Sequence, residues 1–344
     1  MRTWWVVLES SRRQPDDAGS AFVKVLYIGG TGEISTSCVQ ESVACGHRVT
    51  TLNRGNSSAP LPAEVVRLTG DLQEASPYKA LENQSFDVVC QFLAFTPETI
   101  ERDIEFFTNR CNQYIFISTA SAYQKNNGAS RITESTPLEN PYLAYSRAKA
   151  ACEQRLQDSS MTSTIVRPSH TYRARLPSTV IDGNHFAWRL SQGKPVIVHD
   201  TGESLWTLTH AEDFARAFVQ LHGNEMAHGE DFHITSDDAH SWNGILLEVA
   251  AALGFGADLR CIASSRLISH LPSLEGPLLG DKANTLRFDN SKIRSVTNDW
   301  QCQVKLADGM ARAAEFALER LNAGYRPDQE LDKAIDLIVE TECP

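Results

Sequence analysis

Residues 23–35, V-K-V-L-Y-I-G-G-T-G-E-I-S, constrain this chain more than any other stretch. Residues 25–28 are an apolar run that reads as a buried strand. Gly29, Gly30 and Gly32 follow at once. Residues 34–45 then read as an amphipathic helix, with Gly46 as its stop. A strand, a glycine turn and a helix in that order present free backbone N–H groups at a helix N-terminus. Those donors and the helix dipole favour a phosphate. Glycine is needed there because a Cβ would obstruct the tight turn or the approach of a pyrophosphate. The plain alternative is an ordinary turn between a strand and a helix.

The 344 residues suffice for one large domain or two fused ones. A net charge of −11 argues against a sequence-independent grip on nucleic acid or an anionic membrane. No apolar run approaches the ~20 residues of a membrane helix. The eight cysteines form no C-x-x-C pair, and several sit in apolar segments. That suits reduced thiols in a cytoplasmic protein, with neither a disulfide framework nor a metal site. Residues 1–22 read as an extension, either a tail or a packed accessory strand.

Strands at 47–52, 65–68, 86–94, 114–117 and 164–168 alternate with helices at 97–111 and 141–156, which predicts a parallel, doubly wound α/β sheet. The strand 47–52 ends at Asn53 and Arg54. An acid at that point would bond both ribose hydroxyls of NAD. Its replacement by Asn53, with Arg54 next, leans toward the 2′-phosphate of NADP. Asp71 and Leu72 follow the third strand, where a carboxylate can meet an adenine amino group or cap the next segment. The fifth strand runs into Ser118, Thr119 and Ser121, hydroxyls at the edge where ligands bind in such sheets. Tyr145 and Lys149 are four apart and share a helix face. An ammonium beside a phenol predicts a lowered phenol pKa. Further on, 186–192 reads as a helix, 195–198 as a strand and 205–210 as one strand. Glu212 and Asp213 read as the caps of a helix to His222. A strand at 231–234 and a helix at 242–253 follow. Residues 255–300 read as irregular, 304–322 as helical, and 329–339 as a helix packed on the domain or on a partner subunit.

In this order the motifs resemble an extended short-chain dehydrogenase/reductase of the NAD-dependent epimerase/dehydratase group. They are the G-G-T-G loop at 29–32, Gly70-Asp71-Leu72, the hydroxyls at 118–121, Tyr145-x-x-x-Lys149 with Glu153, Arg167-Pro168, and Asp289-Asn290-Ser291-Lys292. The resemblance covers about residues 23–320. It implies a Rossmann-like doubly wound parallel sheet of about seven strands with a smaller α/β C-terminal substrate-binding domain. The expected division is an extension (1–22), a dinucleotide-binding domain (23–170, with parts of 196–235 returning to it), a substrate domain (171–195 and 236–322) and a tail helix (323–344). It also implies a homodimer and a small-molecule substrate.

By the same resemblance Tyr145 is the acid/base, Lys149 holds the nicotinamide ribose, and Thr119 bonds the reacting oxygen. Thr31, Glu33 and Ile34 complete the phosphate loop. Phe92, Leu93, Ala94, Pro168 and His170 are expected beside the cofactor. Departures narrow the chemistry. Ser35 replaces the third glycine, and Glu33 stands where an aromatic is usual. Ala120 and Ser121 follow Thr119 in place of the two acids of the 4,6-dehydratases, which argues against dehydration. His170 replaces a diphosphate-side Asn, and no Arg stands near Leu205-Trp206; Arg173, Arg175 and Arg189 are the candidates to replace it. Phe95, Ser121, His170, Arg173, His185, Trp188 and Trp206 are candidates to line a substrate pocket. The leading expectation is an NAD(P)-dependent epimerase of a sugar or sugar nucleotide. The alternative is an NAD(P)H-dependent reductase or dehydrogenase of a small metabolite. A remote third is a non-catalytic nucleotide- or RNA-binding member.

Overall fold

Strand β1 (Lys24–Ile28) shows why the sheet forms, because Val25, Leu26, Tyr27 and Ile28 are all fully buried. Successive side chains point to opposite faces. Val25 and Tyr27 join one core with Cys38, Val39, Phe214 and Phe218. Leu26 and Ile28 join another with Ile100, Phe107, Cys152 and Leu156. A strand apolar on both faces needs helices on both sides, which is the doubly wound arrangement. The computed structural model describes residues 22–125, 128 and 130–343. Apart from Phe22, the expected extension over 1–22 lies outside them.

The other strands of this sheet are β2 (Arg48–Asn53), β3 (Val66–Thr69), β4 (Phe86–Gln91), β5 (Cys111–Ile117) and β6 (Ser163–Pro168). Between them lie α1 (Ser35–Ala44), α2 (Pro97–Phe107) and α3 (Ala144–Gln157). Then come β7 (His170–Tyr172), α4 (Gly183–Ser191), β8 (Val196–His199), β9 (Leu205–Trp206), β10 (Leu208–His210), α5 (Ala211–Val219) and β11 (Asp231–Ile234). The main sheet has seven parallel strands in the order β11-β6-β5-β4-β1-β2-β3. The order reverses between β1 and β4, the switch point where such sheets bind ligands.

Several expected elements differ in detail. β4 stops at Gln91 rather than residue 94, because the Gln91 side chain accepts from Leu93 N at 2.8 Å and turns the chain off the sheet. α2 closes at Phe107, and β5 begins already at Cys111. The single strand expected over 205–210 is two: β9 pairs antiparallel with β12 (His240–Ser241), and β10 pairs parallel with β7. His210, not Glu212 or Asp213, caps α5, accepting from Glu212 N. Residues 255–300 are not irregular. They hold β13 (Leu259–Ile262), α7 (Ser264–His270), a turn α8 (Glu275–Pro277), a π-helical turn (Leu278–Lys282) and α9 (Ser291–Val296). These pieces are too short for periodicity to reveal.

After β7 a third core forms among α4, α6 (Trp242–Leu253), α10 (Leu306–Asn322) and α11 (Gln329–Glu342). α11 inserts Ile335, Ile338 and Val339 into it. On the polar side of α11, Asp332 is bonded by Arg189 at 2.5 Å, by His185 at 3.0 Å and by Lys194. Asp336 also accepts from Arg189 and Lys194, at 2.8 and 2.7 Å. Burial alone would raise the Asp332 carboxyl, but its bonds to Lys194, His185 and Arg189 hold it down at about 2. Its folded pKa therefore lies below the ordinary value of about 3.9, so the stabilisation is present above that value and lost as pH falls toward the folded one. Asp332→Asn should weaken the acid dependence of the melting temperature below about pH 4. Thermal melts of both proteins across that range check this, and identical slopes would refute it.

Candidate active site

The glycine loop is shaped by contacts that leave no room for side chains. Gly29 has φ +87°, and a Cβ there would lie 2.5 Å from Leu93 Cγ. A Cβ on Gly30 would lie 2.7 Å from Thr51 Cγ2. Ser35 does more than tolerate the third-glycine position. Its hydroxyl donates to Gly29 O at 2.5 Å and accepts from Gly32 N at 2.9 Å, fastening the loop. Asn53 Oδ1 accepts from the Thr31 hydroxyl at 3.3 Å. Beside this loop a cavity of about 350 Å³ has an apolar floor of Ile28, Leu52, Leu72 and Leu93, with Arg54 and Asp71 at its rim. Asp71 also accepts from Gln73 N at 3.0 Å. A cavity lined by aliphatic side chains together with a cation and a carboxylate fits an adenosine, and the loop beside it fits a pyrophosphate.

A second cavity, of about 410 Å³, opens at the C-terminal ends of β5 and β6. Thr119, Ser121, Tyr145, Pro168, His170 and Trp206 all line it. Thr119 Oγ1 lies 2.9 Å from Ser121 Oγ, which lies 2.7 Å from Ser146 Oγ. Lys149 Nζ donates to Ala94 O and Ile117 O, both at 2.7 Å. Burial lowers the Lys149 ammonium to about 8. The Tyr145 phenol does not behave as the spacing predicts. Burial raises its pKa, the Asp281 carboxylate adds to the rise, and only a hydrogen bond with Thr119 opposes it. The reason is geometric: the Lys149 ammonium is committed to two carbonyls rather than to the phenol.

His170 Nδ1 accepts from Trp206 Nε1 at 3.2 Å, so the proton of its neutral ring sits on Nε2. Burial, helped by the Lys282 ammonium, pushes its pKa down to about 3. Phe95 is exposed beside Tyr145, with ring centres 6.3 Å apart. Four candidates stand elsewhere. His185 and Arg189 are buried in the ion cluster under α11, and Trp188 lies under the Lys194 ammonium at 5.5 Å. Arg173 lies over the Phe316 ring at 5.7 Å.

The cavity is also lined by residues that sequence reasoning missed. Asp281 and Lys282 come from the π-helical turn. Asn140 pins that turn to the site, donating to Gly280 O and Ser121 O at 2.7 Å and accepting from Tyr142 N and Leu143 N at the start of α3. Lys125 Nζ reaches Ser121 O at 3.1 Å and Asp281 at 3.5 Å. Lys282 turns its ammonium to Ser178 O and Thr179 O at 2.7 and 3.3 Å. A π turn is a recurrent functional marker, but it leaves no sequence period by which to find it.

The model of the NAD dependent epimerase/dehydratase family matches residues 25–235. The chain belongs to this family. Its seven-stranded sheet is the Rossmann-like one of that group. Among curated relatives it is 29% identical over 252 residues to the chloroplast stem-loop binding protein of 41 kDa b of Arabidopsis thaliana, covering 69% of this chain and 65% of that one. It thus spans just under two thirds of that relative's length. It is 25% identical over 324 residues to 2′-dehydrokanamycin reductase of Streptomyces kanamyceticus, covering 91% of this chain and 89% of that one. Among solved structures, epimerase Mth375 of Methanothermobacter thermautotrophicus superposes with a TM-score of 0.73 at 15% identity, covering 88% of this chain and 94% of that one. UDP-glucuronic acid 4-epimerase of Bacillus cereus does so at 0.68 and 17%, covering 86% and 99%. These two likenesses speak to the fold.

Proposed function

We propose that this enzyme is an NAD(P)H-dependent reductase, or in reverse a dehydrogenase, of a carbonyl on a small, hydroxylated, unphosphorylated ring. The observation that carries this reading is the composition of the larger cavity. Thr119, Tyr145 and Asp281 all line it, and no arginine does so among the described residues. A sugar nucleotide brings a diphosphate, which calls for guanidinium partners. The two cations nearest Asp281 are already engaged, Lys125 with Ser121 O and Lys282 with two carbonyls. A hydroxyl-rich ring instead finds acceptors and an apolar face at Trp206.

In this reading Tyr145 passes its phenolic proton to the carbonyl oxygen, and Thr119 donates a hydrogen bond to that oxygen. Lys149, one turn from Tyr145 on α3, would hold the nicotinamide-ribose hydroxyls. Bound nicotinamide supplies the hydride at the substrate carbon. Neutral His170 holds Trp206 and presents Nε2–H to the cavity. Asp281 accepts a bond from a ring hydroxyl. The reductase relative, similar over nine tenths of both chains, supports this order of preference. The second reading is an epimerase that keeps its cofactor through an oxidation and re-reduction, which the family membership supports. The stem-loop binding relative suggests nucleic acid, against which the net charge of −11 stands.

The test begins with protein purified without added nucleotide, denatured, and its released dinucleotide identified by mass spectrometry. Empty protein that binds NADPH reversibly is the expected result. Near-stoichiometric bound dinucleotide would favour the epimerase, and no binding of NADPH or NADH would overturn both. Arg54 at the cavity rim, with Asn53 in place of an acid, favours NADPH. Arg54→Ala should therefore weaken NADPH about tenfold while leaving NADH unchanged, as isothermal titration of both nucleotides would show. Equal losses for the two would refute the 2′-phosphate role.

A further inference from the structure

We propose that Glu33 is a clasp that holds the dinucleotide cleft shut and slows nucleotide exchange. The proposal rests on the cofactor reading above. Glu33 follows Gly32 directly and stands two residues before α1. One of its oxygens, Oε1, accepts from three successive backbone N–H groups, those of Arg173, Ala174 and Arg175, at 2.7, 2.5 and 2.8 Å. Consecutive amides converging on one point form an anion nest, and the anion here is the chain's own carboxylate. The bond joins residues 140 to 142 apart in sequence, from the glycine loop to the segment after β7.

That placement matters because the loop lies between the two cavities. Ile34, next to Glu33, lines the larger one together with His170 and Thr171 of β7. Ile28 and Leu93, packed at the start of the loop, line the smaller one. A dinucleotide that reaches both must lie along the loop, beneath or beside the link from 33 to 173–175. A carboxylate at a phosphate loop would ordinarily repel the ligand. Held by three amides, its charge is balanced, so it can sit there and tie the loop to the substrate wall. Hydrogen bonds to a charged acceptor are each worth about ten- to a hundredfold in an equilibrium, enough to govern the opening of a loop.

The test compares wild type, Glu33→Ala and Glu33→Gln by two readouts. In hydrogen exchange without nucleotide, the amides of 173–175 should be protected in wild type and exchange about tenfold or more faster in Glu33→Ala. In stopped-flow chase of bound NADPH fluorescence, release should quicken about tenfold or more in Glu33→Ala, with Glu33→Gln intermediate because its carbonyl keeps the acceptor without the charge. Glu33→Gln also serves if the alanine variant does not fold. Unchanged exchange at 173–175 would show that the clasp does not form. Faster exchange with unchanged NADPH release would show a staple of the fold that does not gate the cofactor. Either result overturns the proposal. Failure of wild type to bind NADPH or NADH would instead sink the cofactor reading, and the gating role with it, while the exchange data still report whether the link exists.

Discussion

Tyr145→Phe should lower kcat/KM by about a thousandfold or more, because general acid–base catalysis contributes on the order of 10²–10⁴ and the phenol is the proton donor of this site. The structure makes the test clean. Tyr145 lines the cavity and belongs to none of the three cores, so loss of its hydroxyl removes no core packing. The ring stays beside Phe95 and Lys149 is untouched by the change, so nucleotide affinity should change little. The same variant should abolish the high-pH limb of the rate profile. Without nucleotide the phenol titrates above its ordinary value, raised first by burial. A carbonyl reduction needs the protonated phenol, so activity should hold through neutral pH and fall only as the phenol ionises. Oxidation of the alcohol should show the opposite limb. Full turnover by Tyr145→Phe, or equal loss of activity and of NADPH binding, would remove Tyr145 from the acid/base role.

The legible and illegible parts of this site differ for a physical reason. The strand and glycine loop at 24–32, and Tyr145 with Lys149 on α3, carry their geometry in local sequence: an apolar run, residues without Cβ, a spacing of one helical turn. Such features need no distant partner to be recognised. The electrostatics built on them did not follow. A spacing of four places two side chains on one face but does not say where an ammonium points, and here Lys149 points at carbonyls from β5 and the turn after β4. The substrate wall was illegible for the same reason in stronger form. Asp281 reaches the site on a turn that Asn140, far earlier in the chain, holds through Gly280 O. His185 and Arg189 looked like site residues by type and position in the chain. The tail helix, through Asp332, claims both.

Glu153→Ala should destabilise the protein by about 3–5 kcal/mol, the cost of stripping one partner from a buried ion pair. Arg167, on β6, is 3% exposed, and Glu153, on α3, is 1% exposed. Arg167 Nε lies 3.0 Å from Glu153 Oε1 and Nη2 lies 2.5 Å from Oε2, a two-pronged pairing. The guanidinium also reaches Asp231 on β11 at 2.6 Å and the Tyr123 hydroxyl at 3.0 Å. One cation thus joins α3 to two strands of the sheet. Glu153 lies one turn beyond Lys149, so the pair sets the rotation of the helix that carries Tyr145 and Lys149 into the cavity. Removing the carboxylate leaves the guanidinium with Asp231 as its remaining anionic partner and loosens that helix. Replacing both by leucine is a different experiment. It removes both charges from the interior, and Asp231 keeps Lys292 at 2.8 Å. The double variant should therefore regain much of the stability lost by Glu153→Ala, as apolar replacements of buried ion pairs generally do. Its activity should nonetheless stay low, since leucines fill the space but do not fix the helix in one rotation. Denaturant melts and kcat/KM on the three proteins separate the two effects. If the double variant recovered full activity along with stability, the pair would be holding the fold together and nothing more.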